Sequence, residues 1–162
     1  MLSQAKRFNC MLFHDRNAVI NFVESTYFGS VVRADIPAVL KCFHDDAEVL
    51  IRHGDSPVRR FSLHPGKDEA NLGEFYTHLC GNFEAWFGHF EHFIDLEDDR
   101  SACYFTVRLT PKATDEKESI GVQELQNCNF FRYENGLIRH MIIYYSNSAA
   151  EAGENTPTGY PQ

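Results

Sequence analysis

Four long runs rich in aromatic and β-branched residues fill the second half of this chain and constrain its fold more than any other feature. They lie at about 84–96, 101–110, 119–133 and 137–145. Polar segments separate the first three runs, and Asn135-Gly136, a strong hairpin signal, precedes the fourth. Two shorter runs, 47–53 and 58–63, flank a turn-forming Gly-Asp-Ser-Pro segment. The pattern predicts a sheet of mainly long, antiparallel strands.

Helical periodicity is concentrated in the first half. The apolar stripe of the predicted first helix recurs every four residues, at Val19, Val23, Tyr27 and Val31. Asp35 is placed to cap a short second helix, with Pro37 tolerated in its first turn. A third helix is predicted from about 67 to 79. Helices first and long strands later favour an α+β fold with a curved sheet over alternating βαβ units.

Size and charge limit the classes of protein. The 162 residues, 43% of them hydrophobic and 14% aromatic, suffice for one sizeable core and are few for two. We expect an N-terminal arm at 1–15, one domain over 16–147 and a C-terminal tail at 148–162. A net charge of −8 without a large basic cluster argues against nucleic-acid binding.

Cysteine usage indicates a reducing compartment. The five cysteines are odd in number, widely spaced and free of CxxC pairs, which is typical of buried thiols rather than of a disulfide framework. The apolar patch near the start is too short and too polar for a signal peptide. No later run approaches the roughly 20 apolar residues of a membrane span. We therefore expect a cytoplasmic protein with no membrane association.

Metal and nucleotide motifs find no support in the sequence. His89 and His92 are close, but residues three apart on a strand face opposite sides. The helical His-Glu-x-x-His pattern, a glycine-rich phosphate loop and a Gly-x-Ser-x-Gly elbow are all absent from the sequence. We predict no metal and no cofactor.

Three ordered segments carry a resemblance to a known family. They are Tyr27 eight residues before Asp35, Phe43-x-Asp45-Asp46-Ala47 before an apolar run, and 131–138 before Tyr144-Tyr145. The set resembles the SnoaL-like and ketosteroid isomerase-like group of the nuclear transport factor 2-like superfamily, over roughly 16–147. The resemblance implies a cystatin-like cone, in which a curved antiparallel sheet wraps three helices around a deep pocket.

The same resemblance implies a pocket without the isomerase chemistry. Tyr27 falls at the tyrosine of the isomerase oxyanion hole. In ketosteroid isomerase a tyrosine and a protonated aspartate donate to the developing enolate, while another aspartate moves the proton. Counting along the resemblance, the position of that base falls at Ile51, which cannot accept a proton. The second donor position falls near Cys128, a poor hydrogen-bond donor.

Strand alternation supplies further candidates. A pocket-facing Ile51 places His53 on the same side near the mouth, where histidine suits general acid–base catalysis. A pocket-facing Cys128 brings Glu124 to its face. The predicted catalytic residues are Tyr27, His53 and Glu124. The predicted ligand contacts are Ile51, Trp86, Cys128, Met141 and Tyr145. Structural interpretations stay open: Tyr27 as a hydrogen-bonded core residue, His53 in a solvated turn, Glu124 on the surface and Trp86 in packing.

Three functional hypotheses follow. The first is a small enzyme performing acid–base chemistry on a compact hydrophobic molecule by isomerisation, dehydration, cyclisation or epoxide opening. The second is a binding protein with the same cone and no reaction. The third is a structural subunit similar to the β-subunits of ring-hydroxylating dioxygenases. For the lone chain we expect a homodimer through an apolar outer sheet face that carries Phe87, Phe93, Ile142 and Tyr144.

Overall fold

The computed structural model describes residues 13–54, 56–113 and 121–145. Most of the arm predicted at 1–15, and all of the tail predicted at 148–162, lie outside these residues. The helices are α1 (Arg16–Asn21), a π-helical segment (Phe22–Phe28), α2 (Gly29–Val32), α3 (Ile36–Leu40) and α4 (Leu72–Asn82). The strands are β1 (Phe43–His53), β2 (Arg59–Ser62), β3 (Ala70–Asn71), β4 (Phe83–Asp95), β5 (Arg100–Pro111), β6 (Gln123–Glu134) and β7 (Leu137–Tyr145).

The first three helical elements run on as one helix, residues 16–32, which confirms the predicted first helix. Asp15 caps it by accepting a hydrogen bond from the Ala18 amide at 2.8 Å. The four stripe residues are all buried, with at most 3% of their surface exposed. Because an α-helix turns every 3.6 residues, a stripe repeating every four would drift around it. The wider π-helical turn offsets this drift and keeps the stripe facing the core.

The two shorter helices begin at side-chain caps. Asp35 accepts a hydrogen bond from the Ala38 amide at 3.1 Å, and Pro37 lies in the first turn of α3, as predicted. α4 begins later than predicted because Asn71 caps it, accepting from the Glu74 amide at 3.0 Å. The two residues before α4 form β3 instead. Within the described ranges, no helix has the length and hydrophobicity needed to cross a bilayer.

The seven strands form one mixed sheet in the order β3-β2-β1-β7-β6-β5-β4. β4, β5, β6 and β7 pair antiparallel in sequence, and β1 pairs antiparallel with β2. The central pair β1–β7 is parallel and joins the β1–β2 hairpin to the antiparallel strands β4–β7, and the short edge pair β2–β3 is also parallel. Asn135 and Gly136 have φ of 52° and 74°, the positive values that a type I′ hairpin requires, so the predicted hairpin is confirmed.

Bulges in β4 and in the β6–β7 pair decide which of their residues face inward, and a third register shift lies between Phe43 and Glu48 in the β1–β7 pair. In β4 the register with β5 shifts between Gly88 and Glu91, and His89 adopts a φ of 55°. In the β6–β7 pair the register shifts between Arg132 and Tyr133. Because side chains alternate along a strand, each bulge changes which residues share a face with those beyond it. The inner face packs on the helices and forms the core; the outer face is exposed.

Candidate functional site

A cavity of about 260 Å³ opens between the helices and the inner face of the sheet. Its volume lies near the lower end of the roughly 300–1,000 Å³ range of small-molecule sites, and above the about 150 Å³ that suffices for benzene. Its described wall consists of Tyr27, Phe28, Val31, Ile51, His53, Arg59, Phe75, Tyr76, Leu79, Phe87, Phe105, Val107, Leu109, Gln123, Leu125, Asn127, Asn129, Ile143 and Tyr145. Most of these side chains are apolar, which suits a compact hydrophobic ligand.

A pair of tyrosines lies at the buried end of the cavity. The π-helical segment carries Tyr27 and α4 carries Tyr76, and their hydroxyl oxygens are 2.6 Å apart. Each residue has 2% of its surface exposed, and this burial raises the pKa of both phenols well above the ordinary value. Both hydroxyls therefore stay neutral at physiological pH. Since the two share one hydrogen bond, one O–H of the pair can donate to a ligand oxygen.

Opposite residues on neighbouring strands form rows across the inner face. One row joins Ile51 of β1, Ile143 of β7 and Asn129 of β6. The next row towards the cavity mouth joins His53, Tyr145 and Asn127 in the same strand order. Directly opposed residues share a face of the sheet. The three strands therefore present to the same cavity one row that is apolar except for Asn129, and one polar row.

The mouth is built around Tyr145. The rings of His53 and Tyr145 stack with their centroids 4.2 Å apart. Arg59 lies opposite Ile51 on β2, so it shares the inner face, and its Nη2 donates to the Tyr145 hydroxyl at 3.0 Å. Among the described wall residues, Arg59 is the one arginine or lysine, and none is an aspartate or glutamate.

Two asparagines give the β6 wall a polar character. Asn129 is 2% exposed, and its Nδ2 contacts the Met141 sulfur at 3.9 Å. Neither its Oδ1 nor the buried Oδ1 of Asn127 has a hydrogen-bond partner within the described part of the chain. A buried polar atom without a partner destabilises the folded state, so a bound donor would be favoured here.

Four predicted site residues lie in the cavity wall: Tyr27, Ile51, His53 and Tyr145. Ile51 and Tyr145 are therefore placed where a ligand could contact them. Tyr27 is held by Tyr76, and His53 lies beside Tyr145 rather than in open solvent. The catalytic roles assigned to Tyr27 and His53 stay predictions.

Glu124 and Cys128 do not lie in the cavity, which corrects their predicted placement. The inward residues of β6 are the odd-numbered ones, from Gln123 to Tyr133, so Glu124 and Cys128 face outward. The Glu124 carboxylate instead binds Arg108 at 2.9 Å on the outer face, with 53% of its side chain exposed. The prediction erred by one residue when counting back from Gly136, and in a strand one residue reverses the face.

Trp86 and Phe87 each lie on the face of the sheet opposite to the predicted one. The bulge in β4 places Phe90 on the inner face and Trp86 on the outer face. Trp86 is 41% exposed there, and its ring centroid lies 5.3 Å from the Cζ of the Arg108 guanidinium. A Cβ at Gly88 would lie 2.4 Å from the Trp86 ring, so glycine is required beneath it. Phe87, expected on the outer face, lines the cavity. Met141 faces inward but is fully buried, and it is not part of the cavity wall.

Sequence reasoning missed Tyr76, Arg59, Asn127 and Asn129. The apolar stripe of α4 indicated that Tyr76 is buried, but not that its hydroxyl meets that of Tyr27. The β1–β2 hairpin could have placed Arg59 beside the pocket. Within the described ranges, no group of three or more His, Cys, Asp or Glu side chains could hold a metal ion.

No protein-family model matches this chain, and no curated protein is similar to it in sequence. Solved structures are similar in fold. A proposed polyketide cyclase from Xanthomonas campestris pv. campestris superposes with a TM-score of 0.60 at 19% identity, covering 80% of this chain and 91% of that one. SalBIII, an epoxide hydrolase/cyclase-like enzyme of pyran ring formation in the polyether salinomycin, gives 0.61 at 15% identity, covering 82% and 94%.

A ketosteroid isomerase-like protein from Erwinia carotovora atroseptica gives a TM-score of 0.54 at 21% identity, covering 82% of this chain and 98% of that one. All three superpositions span most of both chains at low identity, so they establish architecture. With the sheet order and the helices, they show that the chain has a cystatin-like α+β fold.

Proposed function

We propose that this protein is a small enzyme that binds a compact hydrophobic molecule in the cavity and catalyses acid–base chemistry at a carbonyl, epoxide or hydroxyl oxygen. The observation that carries this proposal is the buried Tyr27–Tyr76 pair, whose oxygens are 2.6 Å apart at the end of an otherwise apolar cavity. A neutral hydroxyl pair in a site of low polarity donates strongly to an oxygen on which negative charge develops.

His53 is the general base or acid in this proposal. It is the one histidine among the described wall residues, and Ile51 occupies the position that the isomerase resemblance gives to the base. A ligand oxygen held by the tyrosine pair would place adjacent carbon or oxygen atoms towards the mouth. His53 would take a proton there and return it to the product.

The structural neighbours support this class of reaction. The activities in their descriptions are cyclisation, epoxide hydrolysis and isomerisation. Each can proceed by stabilising charge on an oxygen while a proton is moved. The proposal for this chain is limited to that shared chemistry, and the carbon skeleton of the substrate is left open.

The test is a thermal-shift screen of small hydrophobic ketones, epoxides and alcohols, with mass or chromatographic analysis of every stabilising compound. We expect at least one compound to be both bound and converted. His53→Gln should lower kcat by about 10²–10⁴-fold, the usual range for a general acid–base group. The matched control is His140→Gln, because His140 lies near Glu48 outside the cavity wall. Equal turnover in the two variants would remove His53 from the mechanism.

A second candidate function is binding without reaction. The observation that favours it is the lack of a carboxylate in the described cavity wall, where a proton-moving enzyme of this fold could use one. A binding protein would be stabilised by its ligand and would return it unchanged. Stabilisation without conversion of any compound in the screen would support this candidate over the enzyme.

We also propose that two copies pair through the outer sheet face. Phe93, Phe130 and Tyr144 are 62%, 47% and 41% exposed, and the Phe130 and Tyr144 rings contact each other at 5.8 Å. Exposed aromatic surface of this kind is typical of an interface. Sedimentation at micromolar concentration should give a dimer that Phe130→Glu dissociates, with Leu109→Gln at the cavity as the control. A wild-type monomer would contradict this, and copurification with a larger chain would favour the subunit hypothesis.

A further inference from the structure

The cavity has a positive rim and a neutral wall in a protein whose net charge is −8. We propose that the ligand of this cavity carries a carboxylate, which Arg59 binds at the mouth while the apolar body of the ligand lies inside. This inference rests on the proposed function for the location of the site, and it adds the chemical class of the molecule that enters it.

Arg59 is positioned towards the cavity by the sheet. It pairs with Ile51 across the β1–β2 hairpin, so both side chains lie on the inner face. Its Nη2 donates to the Tyr145 hydroxyl at 3.0 Å, and the Tyr145 ring is stacked on His53. A guanidinium has five N–H donors, so this one hydrogen bond orients the group and leaves others for a ligand.

The partner of Arg59 distinguishes it from four other arginines of the sheet, while Arg52 and Arg132 are exposed and lie outside the cavity wall. Arg60, Arg100, Arg108 and Arg139 each lie 2.8–3.3 Å from a carboxylate oxygen. Arg59 instead donates to a tyrosine hydroxyl, and no carboxylate oxygen of the described residues lies within 4 Å of it. In an acidic chain, a guanidinium beside a cavity and not neutralised by a neighbouring described acid is suited to an acidic ligand.

The charge at the cavity mouth favours a carboxylate over a neutral polar end group. The oxygens of Asn127 and Asn129, which have no hydrogen-bond partner among the described residues, would accept from a hydroxyl or N–H elsewhere on the ligand. No aspartate or glutamate lies among the described wall residues, so an anion at the mouth would not be repelled by any of their side chains. Arginine binds carboxylates through two parallel N–H···O bonds, a geometry that an amide or ester does not reproduce. The phenylalanine and leucine side chains deeper in the wall provide for an aromatic or branched aliphatic body.

The experiment compares acids with their uncharged analogues. Phenylacetate, 3-phenylpropanoate and 2-naphthoate are each measured against the corresponding primary amide, by calorimetry at low ionic strength and neutral pH. We expect at least one acid to bind about tenfold more tightly than its amide, as a charge-assisted hydrogen bond at a partly exposed site provides. Arg59→Gln should reduce the affinity of that acid about tenfold and leave the affinity of the amide nearly unchanged.

Arg60→Gln is the matched control, since Arg60 follows Arg59 directly but opposes Leu50 and pairs with Glu48. It should leave the affinity of the acid unchanged, and Arg59→Lys should retain part of it. Equal binding of every acid and its amide, or an Arg59→Gln variant that binds the acid as tightly as wild type, would overturn the inference. Loss of acid binding in both variants would mean a general charge effect and would also overturn it.

These outcomes are separate from those that test catalysis. Conversion of a ketone or epoxide without any preference for acids would leave the proposed function standing and remove the carboxylate inference. Preference for acids that depends on Arg59, with every compound returned unchanged, would establish the inference and favour the binding protein over the enzyme.

Discussion

Two buried tyrosines, Tyr133 on β6 and Tyr27 on the first helix, have the same local chemistry and different surroundings. Tyr133 shares a hydrogen bond of 2.7 Å with Ser101, and Tyr27 shares one of 2.6 Å with Tyr76. Burial raises the pKa of both phenols. The rings of Phe13, Phe22 and Phe131 pack on Tyr133 at 5.0–6.0 Å. Tyr27 is also packed by rings, those of Phe28, Phe43 and Phe131 at 4.7–6.2 Å, but it borders the cavity in addition.

The difference teaches that burial, a raised pKa and a hydroxyl partner do not identify a functional tyrosine. At the packed end, defined by Phe13, Phe22, Phe131 and Tyr133, aromatic rings surround the tyrosine ring, and Tyr133 is not among the described residues that line the cavity. At the cavity end, defined by Tyr27, Tyr76, Phe87 and Phe105, a volume of about 260 Å³ lies beside Tyr27. Only the second arrangement offers an O–H to another molecule.

The largest expected effect concerns packing at the two ends. Phe131→Ala should destabilise the fold by about 3–5 kcal/mol, because it removes a ring with 1% of its surface exposed from close-packed neighbours. Phe87→Ala should cost less than half as much, roughly 1–2 kcal/mol, since that ring already borders a void and is only partly buried. Urea unfolding measures both. Equal losses would show that the cavity end is as tightly packed as the other.

The next effect concerns turnover of a converted compound. Tyr27→Phe should lower kcat about 10²–10³-fold, the usual result of removing a hydrogen-bond donor from a developing oxyanion. Tyr133→Phe removes the same hydroxyl from the packed end and should change kcat less than about twofold. Steady-state kinetics of the two folded variants measures both changes in kcat. Comparable losses in both would mean that the tyrosine pair acts through stability and not through contact with the substrate.

The smallest effect concerns alkaline pH. The folded-state pKa of each tyrosine is raised above the unfolded value, so the unfolded chain loses its proton first as pH rises. The contribution of these neutral tyrosines to the free energy of unfolding is complete below about pH 10. It is lost as pH rises further towards the folded-state pKa. Cys103, whose pKa burial raises to about 12, adds to the loss from about pH 9 upward.

Unfolding measured in urea from neutral to alkaline pH should therefore show a plateau followed by a decline. Tyr27→Phe and Tyr133→Phe should each reduce the decline by a similar amount, because each removes one raised pKa. Tyrosinate absorbance under native conditions sharpens the comparison. Ionisation of Tyr27 in the folded protein, with Tyr133 still protonated, would show that water enters the cavity end alone. A decline unchanged in both variants would contradict the burial of the phenols.

The fold could be predicted because its determinants are local and periodic. The four-residue stripe from Val19 to Val31, the cap at Asp35 and the Asn135-Gly136 turn each act within one or two turns of chain, and all three are found in the structure. The parallel pairing of β1 and β7 was not predicted, since it depends on how the β1–β2 hairpin meets the antiparallel strands β4–β7.

The candidate site could be predicted only in part, because the face of the sheet on which a side chain lies depends on strand register. Ile51, His53 and Tyr145 lie on the cavity side as alternation indicated. Glu124 and Cys128 were reversed by a one-residue error, and Trp86 and Phe87 were exchanged across the bulge in β4. A bulge adds one residue without a strong sequence signal, and its cost is small compared with the packing that it allows.

The sequence by itself determined the order and type of the elements apart from β3, the predominance of apolar residues on their inner faces and a tyrosine on the first helix. Those properties follow from periodicity and capping, which act between residues close in the chain. The tertiary structure alone decided that Tyr27 meets Tyr76, that Asn127 and Asn129 replace the predicted Cys128, and that Arg59 reaches Tyr145. The two contacts join residues distant in sequence, through the packing of two helices and of two strands. The facing of Asn127 and Asn129 depends on a strand register that no local pattern specifies.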